Sequence, residues 1–282
     1  MGNISIVTDS TSDLPQYICK DCNLTVVPLS VMFGGRIYID NGTDIEPGRF
    51  YRMLKESEEM PAASQPTPGD FIKTYSRLLN VSDRIISIHI SGKLSGTINS
   101  AGLAAKNLAG EKIEVIDSAV VHMHCGFIAL KAAEMSKNGS AFEEIIDGIN
   151  RYREKIHSYF IPRSMENLIK GGRVSKIRGT MANLLEIKPI LTLKNGEVSL
   201  YKNSRKWELA KKELLDIMEK NIKGKGKLTV SIGDVADKDE AGYLHEQIMQ
   251  RFGPHNLIRT NIGIVVGSHL GIGGIGVTFF ED

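Results

Sequence analysis

Three segments place hydroxyl groups directly after short runs rich in β-branched residues: Thr8-Asp9-Ser10, Ser91-Gly92-Lys93-Leu94-Ser95-Gly96-Thr97 and Asp117-Ser118. The middle one carries the most chemistry. Glycines at 92 and 96 let the backbone approach a ligand, and the pattern predicts a helix from about Thr97. Free amides and the dipole at such a helix start favour an anion. The same serines and threonine also suit plain helix capping, so this loop taken alone reads either way.

A second group lies near the C-terminus, in Gly267-Ser268-His269-Leu270-Gly271-Ile272-Gly273-Gly274-Ile275-Gly276. Gly271, Gly273 and Gly276 match G-x-G-x-x-G, but a dinucleotide site needs a following helix and an acidic residue about 20 positions on, and the sequence stops at Asp282. The glycines are expected to form a loop presenting His269, as a functional or a structural histidine. A third group is cationic: Lys170, Arg173, Lys176 and Arg178 surround Gly171-Gly172, with Lys202, Arg205 and Lys206 further on. Such a run suits phosphate or a solvated surface.

Ser95, Asp117 and His269 follow the Ser, Asp, His order of α/β-hydrolases. The spacing argues against that reading, because Gly92-Lys93-Leu94-Ser95-Gly96 is one residue longer than G-x-S-x-G and no second oxyanion-hole motif accompanies it. A serine hydrolase using Ser95 and His269 and a phosphate-ligand regulator using the Arg173 cluster remain the competing readings. Cys19-Lys20-Asp21-Cys22 has redox or zinc spacing but no second ligand pair nearby, so no metal or other cofactor is expected.

The elements that must position these residues follow from periodicity. Strands are expected at Ile4–Asp9, Leu24–Val27, Ile85–Ile90 and Ile113–Ile116, and a hairpin at Leu29–Phe33 and Arg36–Ile39 around Gly34-Gly35. Helices are expected at Glu46–Glu56, Asp70–Leu79, Thr97–Leu108, Cys125–Lys137 and Ala141–Lys155. Strands alternating with helices imply a parallel sheet, whose ligands collect beyond the strands' carboxyl ends. Pro61, Pro66 and Pro68 make the intervening segment an ordered loop or lid. The second half reads as a mixed sheet, with Asn195-Gly196 turning one strand into the next and helices at Trp207–Ile222 and Lys238–Phe252.

At 282 residues, two domains are expected: 1–157 and 158–282. A net charge of +2 implies no general field for nucleic acid. The sequence contains no run approaching the roughly 20 apolar residues of a membrane span, and Met1-Gly2-Asn3-Ile4 leads straight into a strand, so a cytoplasmic protein is expected.

Taken together the motifs resemble the DegV family, the fatty-acid-binding proteins that include the B subunits of bacterial fatty acid kinase. The resemblance spans the whole chain and rests on Thr8-Asp9-Ser10-Thr11-Ser12-Asp13-Leu14-Pro15, Ser64-Gln65-Pro66-Thr67-Pro68, Leu94-Ser95-Gly96-Thr97, Asp117-Ser118, Gly171-Gly172-Arg173, Lys188-Pro189-Ile190-Leu191 and Gly267-Ser268-His269-Leu270-Gly271. It implies an α/β protein with an N-terminal parallel-sheet domain of the Rossmann or flavodoxin kind and a C-terminal mixed-sheet domain. A long-chain fatty acid such as palmitate would lie in a buried pocket, its carboxylate at the strand ends. Ser95, with Gly96 and Thr97, takes the head-group position, and His269 stands near it. The family's threonine before Ser-Gln-Pro is Ala63 here, which removes one hydroxyl and leaves Ser64 as its neighbour. Arg173, Arg205 and His269 match the positions that matter when a separate kinase subunit phosphorylates the carboxylate. By this resemblance the chain carries substrate and has no catalytic residue of its own.

Overall fold

The run Ile4-Ser5-Ile6-Val7-Thr8-Asp9 forms a central strand because its branched side chains pack on a pleated surface. The computed structural model describes residues 2–108, 110–174 and 187–282. Lys176 and Arg178 of the cationic group lie outside the described residues. Two compact units emerge: Met1–Asp44 with Ala62–Glu154, and Ile45–Pro61 with Lys155–Asp282.

In chain order, β1 (Ile4–Asp9) leads through a 3-10 turn at Ser10–Ser12 to α1 (Gln16–Asp21), β2 (Leu24–Val27), β3 (Ser30–Phe33) and β4 (Arg36–Ile39). Then follow α2 (Pro47–Lys55), β5 (Ala62–Ser64), α3 (Pro68–Leu79), β6 (Arg84–His89), α4 (Thr97–Leu108), β7 (Ile113–Asp117), α5 (Met123–Lys137) and α6 (Phe142–Arg153). The remainder comprises β8 (His157–Ile161), α7 (Glu166–Lys170), β9 (Ile190–Lys194), β10 (Glu197–Lys202), α8 (Trp207–Asn221), β11 (Leu228–Asp234), α9 (Lys238–Phe252), β12 (Asn256–Asn261), α10 (Ile264–Leu270) and β13 (Ile275–Glu281).

In the first unit β1, β2, β6 and β7 form a parallel sheet in the order β2-β1-β6-β7. Parallel pairing aligns the carboxyl ends of β1, β6 and β7, so the three hydroxyl-rich segments emerge on one edge of the sheet. Val7, Val27 and Ile85 pack against Phe71 and Tyr75 of α3 and three alanines of α4, and the small alanines let that helix lie close. A smaller sheet, β4-β3-β5, places β5 at an edge. The proline-rich segment therefore contributes a three-residue edge strand and not a bare loop, with Pro61 and Pro66 just outside it.

The second unit holds a mixed sheet in the order β10-β9-β8-β13-β11-β12, in which β11 and β12 are parallel and the other pairs antiparallel. Asn195 and Gly196 both adopt positive φ, 52° and 82°, as the tight turn between β9 and β10 requires. Val230, Ile232, Val277 and Phe279 pack under Leu214, Met218, Leu244 and Ile248 of α8 and α9. Among the described residues, no helix is long and apolar enough to cross a membrane.

Candidate functional site

The first unit builds the Ser95 loop from the end of β6. Ser91 anchors it: its amide donates to Val120 O at 2.9 Å, its carbonyl accepts from Leu94 N and Ser95 N, and its hydroxyl accepts from Lys93 N. Gly92 N donates to Asp117 Oδ2 at 3.1 Å, and Ala119 N to Asp117 Oδ1 at 2.8 Å. Asp117 thus fastens the loop through backbone amides.

Ser95 is half-buried and Thr97 is fully buried. Ser95 Oγ lies 2.8 Å from Thr97 Oγ1 and accepts from Thr97 N at 3.3 Å. A serine hydroxyl has two acceptor positions and one proton. Whichever hydroxyl donates within the pair, the other keeps its proton for an external acceptor. The first turn of α4 has no acidic side chain to offset the dipole, which favours an anion at that point. Capping and anion binding are therefore compatible uses of one hydroxyl.

Gly96 sits against the end of the Gln65 side chain. A Cβ there would collide with the carboxamide of Gln65, whose Nε2 donates to Ser100 Oγ at 3.3 Å. The Ser64-Gln65-Pro66 turn consequently lies directly on the start of α4. It is held from the far side by a capping box in which Thr67 and Asp70 exchange hydrogen bonds at the head of α3. Ala63 pairs with Val31 and Ser64 with Ser30. Ala63 is half-buried, and Ser64 is exposed with its hydroxyl 3.5 Å from Gln65 O. Gln65 was not legible as a site residue, its only signal being the glycine it faces.

His269 belongs to the second unit, and its setting corrects one expectation. It sits in the last turn of α10 and not in a glycine loop. Helix formation by Ile264-Val265-Val266-Gly267 runs against propensity and is enforced by tertiary contacts. Tyr51, from α2, donates to both Ile262 O and Gly263 O at 2.8 Å, and its ring lies so near Gly267 that a Cβ would overlap the phenol oxygen. Ser268 Oγ donates to Ile264 O at 2.6 Å, while Asn167 Nδ2 donates to Ser268 O at 3.2 Å. Helices α7 and α10 are thereby strapped together.

Gly171 fits against the imidazole of His269, and Arg173 Nη1 donates to Gly171 O at 2.5 Å. Burial, and then the Arg173 charge, pushes the His269 pKa down to about 4, so the imidazole is neutral at pH 7. Its Nδ1 is shielded from solvent without a hydrogen-bond partner among the described residues. A hydrolase triad orients this nitrogen with a carboxylate; here Asp117 has both oxygens on backbone amides. Burial also holds the Arg173 pKa below its usual range.

The other cations differ in setting. Lys170 pairs with Glu166 at 2.6 Å and Lys202 with Glu213 at 2.9 Å, whereas Arg205 is exposed between β10 and α8. The structure thus gathers Ser95, Gly96, Thr97, Ala63 and Ser64 in the first unit, and His269 with Arg173 in the second. Burial raises the Cys19 pKa to about 11 and that of Cys22 in the same direction, which suppresses thiolate chemistry. Among the described residues, no group of three His, Cys, Asp or Glu side chains could hold a metal.

A family model described as "Uncharacterised protein, DegV family" matches residues 3–282. A DegV domain-containing protein of Listeria innocua is 34% identical over 279 residues, covering 98% of each chain. Among solved structures, a DegV family protein from Thermus thermophilus described as fatty-acid binding is 32% identical. It superimposes with a TM-score of 0.93 over 99% of this chain and 100% of its own. DegV of Bacillus subtilis, described as a fatty acid binding protein, is 29% identical with a TM-score of 0.93 and full coverage of both chains.

Proposed function

Because this chain belongs to the DegV family, we propose that it binds a long-chain fatty acid such as palmitate in the cytoplasm and presents the carboxylate to a separate fatty acid kinase. The observation that carries this reading is the Ser95–Thr97 pair at the start of α4, which leaves one hydroxyl proton for an anion in a chain built like fatty-acid-binding proteins. Head-group recognition falls to Ser95, Gly96 and Thr97, with Ala63 and Ser64 beside them in the first unit. Arg173 and Arg205 serve phosphotransfer.

Physical magnitudes support a lipid. Burying about 15 methylenes at ~0.8 kcal/mol each gives an upper bound near ~12 kcal/mol before the costs of association and ordering. A carboxylate leaving water needs donors in return, and a hydroxyl with helix-terminal amides supplies them. Titrating palmitate into the protein and into Ser95→Ala tests the assignment. Loss of one hydrogen bond to a charged group weakens binding by about 1–3 kcal/mol. Unchanged affinity would reduce Ser95 to a helix cap.

A further inference from the structure

The motif Thr8-Asp9-Ser10 ends β1 among the candidate ligand loops, yet Asp9 is fully buried with its carboxylate engaged on every side. Its Oδ1 accepts from Thr11 N at 3.0 Å and Thr11 Oγ1 at 2.5 Å, and its Oδ2 from Ile90 N and His89 Nδ1, each at 3.0 Å. The chain of bonds continues inward. Tyr75 Oη donates to Ser87 Oγ at 2.8 Å, and Ser87 Oγ lies 2.7 Å from His89 Nε2. His89 bridges the two sides, with Nε2 on Ser87 and Nδ1 on Asp9. Tyr75, Ser87 and His89 are all fully buried, and Phe71 packs edge-on against the His89 ring. This Asp-His-Ser sequence is closed to substrate, so it is not a triad at work.

Its output is mechanical and leads to the Ser95 loop. Asp9 holds Ile90 N, the next residue is Ser91, and Ser91 O accepts the amide of Ser95 at 3.1 Å. A carboxylate on β1 therefore fixes the point just past β6 from which the Ser95 loop is hung. We infer that Asp9, oriented by the Tyr75-Ser87-His89 chain, is the positioning residue of the head-group site, holding Ser95 at its place through Ile90 and Ser91. The inference rests on the assignment of Ser95 as carboxylate donor.

The test is a double-mutant cycle on palmitate binding with Asp9→Asn and Ser95→Ala in the full-length protein. Asp9→Asn raises Kd by about tenfold or more when Ser95 is present, and by less than about twofold in the Ser95→Ala background. Equal rises in both backgrounds, or no rise in either, overturn the positioning role while leaving the Ser95 assignment intact. An unchanged Kd for Ser95→Ala alone overturns that assignment and this inference with it. Should Asp9→Asn not fold, Thr11→Val removes one donor from the same carboxylate and so loosens its hold on Ile90 N. It raises Kd about threefold with Ser95 and not without it, and the same rise in both backgrounds counts against the inference.

Discussion

The Cα of Gly171 packs so closely on the imidazole of His269 that any Cβ at this position would overlap Nδ1 and approach Asn167 O to 2.9 Å. The Gly171-Gly172-Arg173 turn is therefore shaped around the histidine, and Arg173 closes the turn by binding Gly171 O. Gly171→Ala destabilises the protein by about 1–3 kcal/mol, since added volume at a packed contact forces a shift of its neighbours. Urea unfolding reads the loss, and wild-type stability would place the ring elsewhere.

His269 makes stability depend on pH. Its pKa is about 4 when folded and near 6.5 when unfolded, so between these values the unfolded chain binds more protons. Stability present above pH 6.5 is lost as pH falls toward 4 and then levels off. The loss is up to ~3 kcal/mol, at about 1.4 kcal/mol per pKa unit. Denaturant unfolding at pH 7 and pH 4.5 should show this component in the wild type and not in His269→Gln; identical pH sensitivity in both proteins would refute it.

Arg173→Ala leaves palmitate affinity nearly unchanged and lowers phosphorylation of the bound fatty acid by a supplied kinase subunit at least about tenfold, as expected for removing a charge that acts in transfer. Calorimetry and a single-turnover phosphorylation assay separate the two. Lost binding with normal turnover would reverse the assignment.

Ala63→Thr restores a hydroxyl on β5, where a β-branched residue suits an extended backbone. Palmitate binding should tighten by about 0.5–1.5 kcal/mol, the range of one hydrogen bond. A weaker complex would point to a different head group.

Most elements were readable because local chemistry and tertiary need agree. Ile4–Asp9, Leu24–Val27 and Thr97–Leu108 have the predicted limits, and Asn195-Gly196 turns as its residue types demand. The failures have physical causes. Ile264–Leu270 is rich in β-branched residues and glycine, and becomes helical through Tyr51 and Asn167, which lie far away in sequence. The helix α7 is too short to show periodicity. Nothing local announces that Ile45–Pro61 joins the second unit, because Phe50, Tyr51 and Leu54 make an apolar face that suits any partner. At the candidate site, Ser95 and Thr97 stood out by type and spacing. Gln65, Gly171 and Asp9 gain their significance from contacts across 31, 98 and 81 positions, to Gly96, His269 and Ile90, which no local pattern encodes.

Native mass spectrometry of the purified protein, followed by denaturation and identification of any released small molecule, decides whether this chain carries a lipid. One long-chain fatty acid per chain is expected; a protein that emerges empty and also fails to bind added palmitate would overturn the fatty-acid assignment.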